Sequence, residues 1–389
     1  DKDAFVNDNA MTTPVKNLFS GSGWGTSPGK GVDLTYSFVG AHGDAESLFE
    51  QGYFEYQAKN EHSPDKDGFC CCYNCTFSDS DGRDAQYGTE KTAAKSATRA
   101  ELSSFMQAQA EHTLDLMEKF TLNTFTNVAE KKDGDENYGQ LRFLSIDLDG
   151  ALGRATLPGK THSAGDITID NAPSPLIEDK YLKAGEDAYN TLIHEVGHAV
   201  GLDHPFGGTF EETESPGKSA QHTVMSYHSY SAVDRPGGYE DGDGAAMGYY
   251  PQTWMIDDVA VLQYMYGVNE QTNRQDNTYN VANLSDSTIS DGIIYQTIWD
   301  AAGKDTISWA DQSTVCNINL NPGTHSFFGE ITSIADTDFN NGTDSLGVGD
   351  GILGIAYGCD IENASGGRAS DVIIGNSLNN VLYGGKGVN

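Results

Sequence analysis

Three histidines and a glutamate concentrate the chemistry of this chain in one short stretch, His194-Glu195-Val196-Gly197-His198-Ala199-Val200-Gly201-Leu202-Asp203-His204. Residues four apart share a helix face, so the imidazoles of His194 and His198 can grip one ion. Glu195 sits beside the first ligand, within reach of a water at the metal but outside its coordination shell. Gly201 lets the backbone turn sharply, which ends the helix and swings His204 back as a third ligand. Three protein ligands leave one position open, the arrangement of a catalytic rather than a structural zinc. The bland alternative is a helix with three surface histidines. With 10 His in 389 residues, a chance match to the long pattern is on the order of one in ten thousand. A site that holds zinc without activity is the other alternative, and the intact Glu195 argues against it.

These residues need elements to position them. A helix over about 186–202 carries the motif. The alternation from Val32 through Phe38 predicts a first sheet strand. Leu102, Phe105, Met106, Leu114, Met117 and Phe120 recur at helical spacing, so a long amphipathic helix over about 97–120 should pack on the sheet. Leu141 to Leu148 reads as another strand. Ala155-Thr156-Leu157-Pro158 reads as an edge strand, because proline cannot donate to a ladder. The segments 60–90 and 207–222 read as surface loops. A helix over 254–266 should begin near Asp257-Asp258, whose carboxylates favour a helix N-terminus.

Lys plus Arg total 23 against 57 Asp plus Glu, a formal net charge of −34. That balance repels nucleic acid and anionic membrane surfaces, and it suits a secreted protein that binds calcium. Solubility alone would also explain it. No apolar run approaches the length of a membrane span, and Asp1-Lys2-Asp3 reads as the start of a mature, processed chain.

Beyond Gly267 the pattern changes to short strands separated by Gly, Asn and Asp, which puts a domain boundary there: 1–266 and 267–389. The stretch Gly366-Gly367-Arg368-Ala369-Ser370-Asp371-Val372-Ile373-Ile374 approximates a calcium-binding nonapeptide. A looser copy follows over 375–383, and Gly384-Gly385-Lys386-Gly387-Val388-Asn389 starts a third. Backbone carbonyls and Asp oxygens in such turns suit a hard cation. A plain glycine-rich β region is the alternative.

Pro205 directly after the third histidine, and Met225-Ser226-Tyr227 further on, complete a pattern. The chain resembles the serralysin family of secreted bacterial zinc metalloproteases, a branch of the metzincins defined by a buried Met beneath the zinc. Astacin-like and matrixin-like branches fit less well, given Pro205 and the glycine-rich tail. The resemblance implies an α+β metzincin protease domain followed by an all-β parallel β-roll and sandwich, cut short at its C-terminus. It makes His194, His198 and His204 the zinc ligands, Glu195 the general base and Met225 the Met-turn residue. Tyr227 matches the tyrosine that coordinates the resting zinc and then stabilises the oxyanion. Several structural calcium ions are implied. Arg274, Asp276 and Thr278 would face Asp300, Ala302 and Asp305; Gly303 and Asp305 would join Asp360 and Glu362; Gly367, Ala369 and Asp371 would face Gly385, Gly387 and Asn389. The expected molecule is an extracellular, monomeric endopeptidase acting on proteins and peptides, with substrate laid along Ala155–Pro158, and with neither nucleic acid nor membrane as a partner. The competing class is a non-catalytic, calcium-dependent adhesion module with a vestigial zinc site.

Six cysteines fall at 70, 71, 72, 75, 316 and 359. An even count favours disulfides in an extracellular protein. A short-loop bridge within Cys70, Cys71, Cys72 and Cys75 is expected. Strand alternation turns Cys316 and Cys359 into one core, where they form either a bridge or two buried free thiols.

Overall fold

The computed structural model describes residues 15, 17–25, 27–39, 77–78, 84–85, 101–129, 138–146, 148, 151–160, 163–170, 182–205, 220–226, 250–284, 294–329, 332–333, 347–348 and 351–387. The Cys70–Cys75 cluster, residues 207–219, Tyr227 and Asn389 lie outside these residues. The first part of the chain runs β1 (Asp33–Phe38), a short hairpin of β2 (Phe77–Ser78) and β3 (Asp84–Ala85), α1 (Ser104–Phe120), β4 (Thr124–Asn127), β5 (Leu141–Ile146), β6 (Gly153–Ala155), β7 (Asp166–Asp170), α2 (Asp187–Ala199) and α3 (Ile256–Tyr266).

Five of these strands form one sheet in the order β4-β1-β5-β7-β6. Four run parallel, and β6 closes the edge antiparallel to β7. Central β5 is buried along its whole length, as a strand covered on both faces must be. The face of α1 that packs inward carries Met106, Ala110, Leu114, Met117 and Phe120, and Leu102 is buried just before it. Trp254 donates its indole N–H to the Thr113 carbonyl, 3.1 Å away, which fixes α1 against the approach to α3.

Three boundaries differ from the sequence expectation. Helix α1 starts at Ser104 rather than near Ala97, because the Ser103 hydroxyl accepts the Met106 N–H and caps the helix there. The strand expected over 141–148 stops at Ile146. The edge strand is Gly153–Ala155, so only Ala155 of the expected four residues belongs to it. Thr156 still makes two ladder bonds, donating to Asp166 and accepting from Gly165. Pro158, lacking an N–H, lies beyond the last of them.

After α3 the described elements are strands and one 3-10 turn at Val281–Asn283. The strands are β8 (Thr278–Asn280), β9 (Ile294–Ile298), β10 (Thr306–Ser308), β11 (Cys316–Asn319), β12 (His325–Phe328), β13 (Thr332–Ser333), β14 (Gly347–Val348), β15 (Gly351–Ile355), β16 (Asn363–Ser365), β17 (Val372–Ile374) and β18 (Val381–Tyr383). One sheet, β18-β16-β10-β8, is parallel throughout, and the other, β17-β11-β12-β15-β9, is mixed. Ile307, Trp309, Ile318, Leu320, Phe328, Leu353 and Ile361 fill the space between them.

The two halves meet through backbone as well as apolar contact. The Tyr295 N–H donates to the Gln252 side chain at 2.9 Å and the Tyr295 carbonyl accepts the Gln252 N–H at 2.8 Å. Thr297 donates its N–H to the Thr253 hydroxyl at 2.9 Å. The segment entering α3 is thereby held by β9.

Cys316 and Cys359 are buried free thiols, 2% and 0% exposed. The Cys359 sulfur accepts the Asp300 N–H at 3.3 Å, and burial pushes the Cys316 thiol up, with Asp371 adding to it. Both should resist a thiol reagent in the native protein and react fully in denaturant. A disulfide-linked peptide joining them in a non-reduced digest would contradict this.

Candidate metal centre

Helix α2 delivers two of the three histidines and then stops. Its C-cap is Val200, and Gly201 follows at φ +105°, where a side chain would strike the Ser22 carbonyl and Met265. That turn sends the chain back so that His204 faces His194 and His198. The His204 Nε2 lies 3.1 Å from that of His198 and 3.3 Å from that of His194. Tetrahedral zinc with nitrogen ligands at about 2.0–2.1 Å needs ligand–ligand separations of about 3.3 Å, and both of these separations fit the ion. Among the described residues this is the one cluster of three or more His, Cys, Asp or Glu with converging ligand atoms.

The tautomers follow from the outer contacts. His194 Nδ1 lies 2.9 Å from the Val224 carbonyl, and His198 Nδ1 lies 2.9 Å from the Leu202 carbonyl. A carbonyl only accepts, so each Nδ1 carries the proton and each Nε2 presents its lone pair to the centre. Burial lowers all three histidines. His194 falls to about 3 and His204 to about 2, with repulsion from the neighbouring rings adding to the effect. Protons therefore do not compete for the nitrogens near neutral pH.

Glu195 is buried, and that burial raises its carboxyl to about 8, against a lowering pull from Arg154. A cation between the histidines would pull it back down. Gly153 of β6 makes the room it occupies: a Cβ there would sit 2.7 Å from Glu195 Cγ and 2.9 Å from Oε1. The edge strand and Glu195 are thus in direct apposition. Gly153 was not singled out from the sequence, although a glycine inside a strand signals close approach of another part of the chain.

Beneath the histidines lies Met225, 0% exposed, its sulfur against Gly197, where a Cβ would collide with it. The Met225 segment is held by Asp258. One carboxylate oxygen accepts the Thr223 hydroxyl at 2.6 Å, and the other accepts the N–H groups of Val224 and Met255, both at 2.9 Å. Burial pushes this carboxyl up to about 7 against the pull of those three donors. Asp258 therefore closes the first turn of α3 and places the Val224 carbonyl that orients His194.

The other predicted residues fall as follows. Loop 274–278 does lie beside loop 300–305: Lys304 donates its N–H to Asp276 at 3.0 Å, Asn277 to Asp305 at 2.7 Å, and Thr278 pairs with Thr306. Asp300 accepts the Tyr279 hydroxyl and the Ala302 N–H, Glu362 accepts the Asp305 N–H, and Gly303 is pressed against the Gln275 carbonyl. Asp360 is exposed, and Arg274 bonds the Gln271 side chain. In the tail Asp371 accepts the Gly367 and Cys316 N–H groups, and Gly385 and Gly387 stack on the carbonyls of Gly367 and Ala369.

The chain is similar to bacterial metallopeptidases. Serralysin A of Dickeya chrysanthemi is 32% identical over 282 residues, covering 69% of this chain and 52% of that protein. Metallopeptidase AprA of Pseudomonas marginalis is 30% identical over 276 residues, 67% of this chain and 51% of that protein. Metalloprotease AprA of Pseudomonas entomophila is 28% identical over 297 residues, 73% and 56% respectively. The chain spans about half the length of the curated relatives it matches. No protein-family model matches it. These relatives support the serralysin family and a protease domain joined to a β-rich one.

Replacing Asp258 by Asn should cost about 2–3 kcal/mol of stability, since an amide cannot accept three donors. It should also weaken zinc binding to the folded protein by loosening the Val224 contact. Denaturant unfolding and a zinc titration check the two effects; unchanged zinc affinity would contradict the assigned link.

Proposed function

We propose that this chain is a secreted, zinc-dependent endopeptidase of the serralysin kind. The observation that carries the reading is the convergence of three imidazoles, with the Nε2 atoms of His198 and His194 at 3.1 and 3.3 Å from that of His204, and with the carboxyl group of Glu195 against the edge strand. His194, His198 and His204 hold the metal. Zinc, when bound, supplies Lewis acidity to the scissile carbonyl and acidifies the attacking water. Glu195 accepts the proton from that water and passes it to the leaving amine. Tyr227, outside the described residues, donates a hydrogen bond to the developing oxyanion, and Met225 supports the histidine cluster from below. Substrate lies extended along β6 and pairs its main chain with the strand, a mode that reads backbone and gives broad specificity.

The loops at 274–278, 300–305 and 360–362 and the turn at 367–371, with residues 385–389 of the sequence, are assigned to structural calcium ions that fasten the β-rich half. The location assigned to the chain is extracellular. Among the described residues no helix is long and apolar enough to cross a membrane. The net charge of −34 disfavours nucleic acid and anionic membranes as partners. The working form is a monomer.

Two experiments test this. Glu195→Ala should reduce casein hydrolysis by about 10²–10⁴-fold while metal analysis still finds one zinc per chain; full activity in that variant would remove the mechanism, and zinc without hydrolysis in the unaltered protein would leave a binding module. A calcium-selective chelator should lower the melting temperature of the full chain by at least several degrees, and an unchanged curve would count against the calcium assignment.

A further inference from the structure

The segment that orients His194 is held from a second side, by the β-rich half. His325 of β12 has its Nε2 2.9 Å from the Gln221 carbonyl. A carbonyl only accepts, so Nε2 carries the proton and donates it. Burial, with the neighbouring His222 adding to it, lowers His325 to about 3, which makes the ring a neutral donor near neutral pH. The rings of His222 and His325 meet edge to face with centroids 5.0 Å apart, and the His222 carbonyl accepts the Asp257 N–H at 3.0 Å.

Strand alternation explains how β12 reaches that segment. Ser326 and Phe328 are fully buried, and Phe328 lies between the two sheets, so His325 and Phe327 take the other face. His325 pairs with Gly354 of β15, where a Cβ would sit 2.8 Å from Ile256 Cγ2 of α3 and 3.4 Å from His325 Cδ2. Glycine at that position leaves room for α3 and the imidazole side by side on the sheet. Gln221 is 5% exposed, so its carbonyl needs a protein donor. Three residues on, the Val224 carbonyl lies 2.9 Å from His194 Nδ1, and Met225 follows beneath the cluster. Asp258 holds Thr223 and Val224, while His325 holds the point where the segment begins.

We infer that His325 is a positioning residue of the metal centre: it anchors the Gln221 carbonyl, and through residues 221–225 it keeps the Val224 carbonyl in place for the His194 ring. This rests on the reading of the three histidines as a zinc centre. A strand of the β-rich half thereby sets the orientation of a metal ligand carried by the other half.

The test uses the full chain and four variants, each measured at a temperature where it is folded. His325→Leu removes the donor and keeps the bulk. His325→Gln returns an N–H near the place of Nε2, and His325→Asn puts one near Nδ1, short of the carbonyl. Phe328→Leu weakens the β-rich core from the opposite face of β12. The readouts are zinc affinity by competition with a chelating dye, the visible bands of the cobalt-loaded protein, and kcat and KM on a casein-derived peptide. His325→Leu and His325→Asn should bind zinc about three- to tenfold more weakly, shift the cobalt bands and lower kcat by a similar factor at unchanged KM. His325→Gln should recover most of each loss. Phe328→Leu should lower the melting temperature and leave zinc affinity and the cobalt bands as they were. Unchanged zinc affinity and bands in His325→Leu, or an equal change in Phe328→Leu, overturns the inference. If His325→Leu does not fold, the Gln and Asn variants decide, and equal zinc affinity in those two overturns it. An unaltered protein that binds zinc and cleaves nothing overturns the peptidase reading alone, because the zinc and cobalt readouts still decide the role of His325. An unaltered protein that binds no zinc overturns both.

Discussion

The metal centre depends on a buried carboxylate that touches no ligand. Asp258 gathers three donors from two segments far apart in sequence, Thr223-Val224 and Met255. Hydrogen bonds to a charged acceptor contribute about 1.5–3 kcal/mol each, set against the cost of removing the carboxylate from water. What they secure is position: the Val224 carbonyl fixes the tautomer and tilt of His194, and Met225 sits under the cluster. Helix α3 is in turn anchored on both sides, through Trp254 to α1 and through Gln252 and Thr253 to β9. The site is thus braced by the β-rich half, although that half contributes none of the three histidines.

A second brace comes from the beginning of the chain. Carbonyls at a helix C-terminus lack intrahelical partners, and here residues 17–24 supply them. Trp24 donates its indole N–H to Ala199 at 2.9 Å, Ser20 its hydroxyl to Gly201 at 2.8 Å, and Asn17 its amide to Pro205 at 3.1 Å, while Asp203 donates its N–H to Leu18 at 2.8 Å. The turn that carries His204 is consequently fixed from outside the helix.

What could be read from the sequence was whatever depends on local periodicity or on a compact motif. The grouping of the three histidines, the turn at Gly201, the apolar face of α1 and the change of character after Gly267 all follow from residue spacing. Contacts between distant segments could not be read that way. Asp258 reads in the sequence as a charge favourable to a helix N-terminus, and that is true, but its two other donors lie more than thirty residues upstream. Gly153 gave only a generic signal, since its meaning depends on Glu195 lying against it. The edge strand was placed too late because Pro158 marks where pairing has ended rather than where it occurs. The burial of Cys316 and Cys359 was legible from alternation; that they remain unbonded was not, because alternation fixes a face and not a distance.

The electrostatics explain why so much bracing is needed. The Nε2 atoms of His198 and His194 are held 3.1 and 3.3 Å from that of His204, and burial lowers the basicity of all three rings, so protons do not fill the space between them near neutral pH. A cation bound between the three nitrogens would relieve the repulsion among them, and the scaffold holds the rings in place for it. The energy comes from ordinary sources: the Asp258 hydrogen bonds, the N-terminal donors and a continuous core from Val15 to Ala364. Metal affinity and fold stability are therefore linked. The same reasoning accounts for Gly153 and Gly197: at both positions a side chain is given up so that a buried group, Glu195 or Met225, can stand where the cluster requires it.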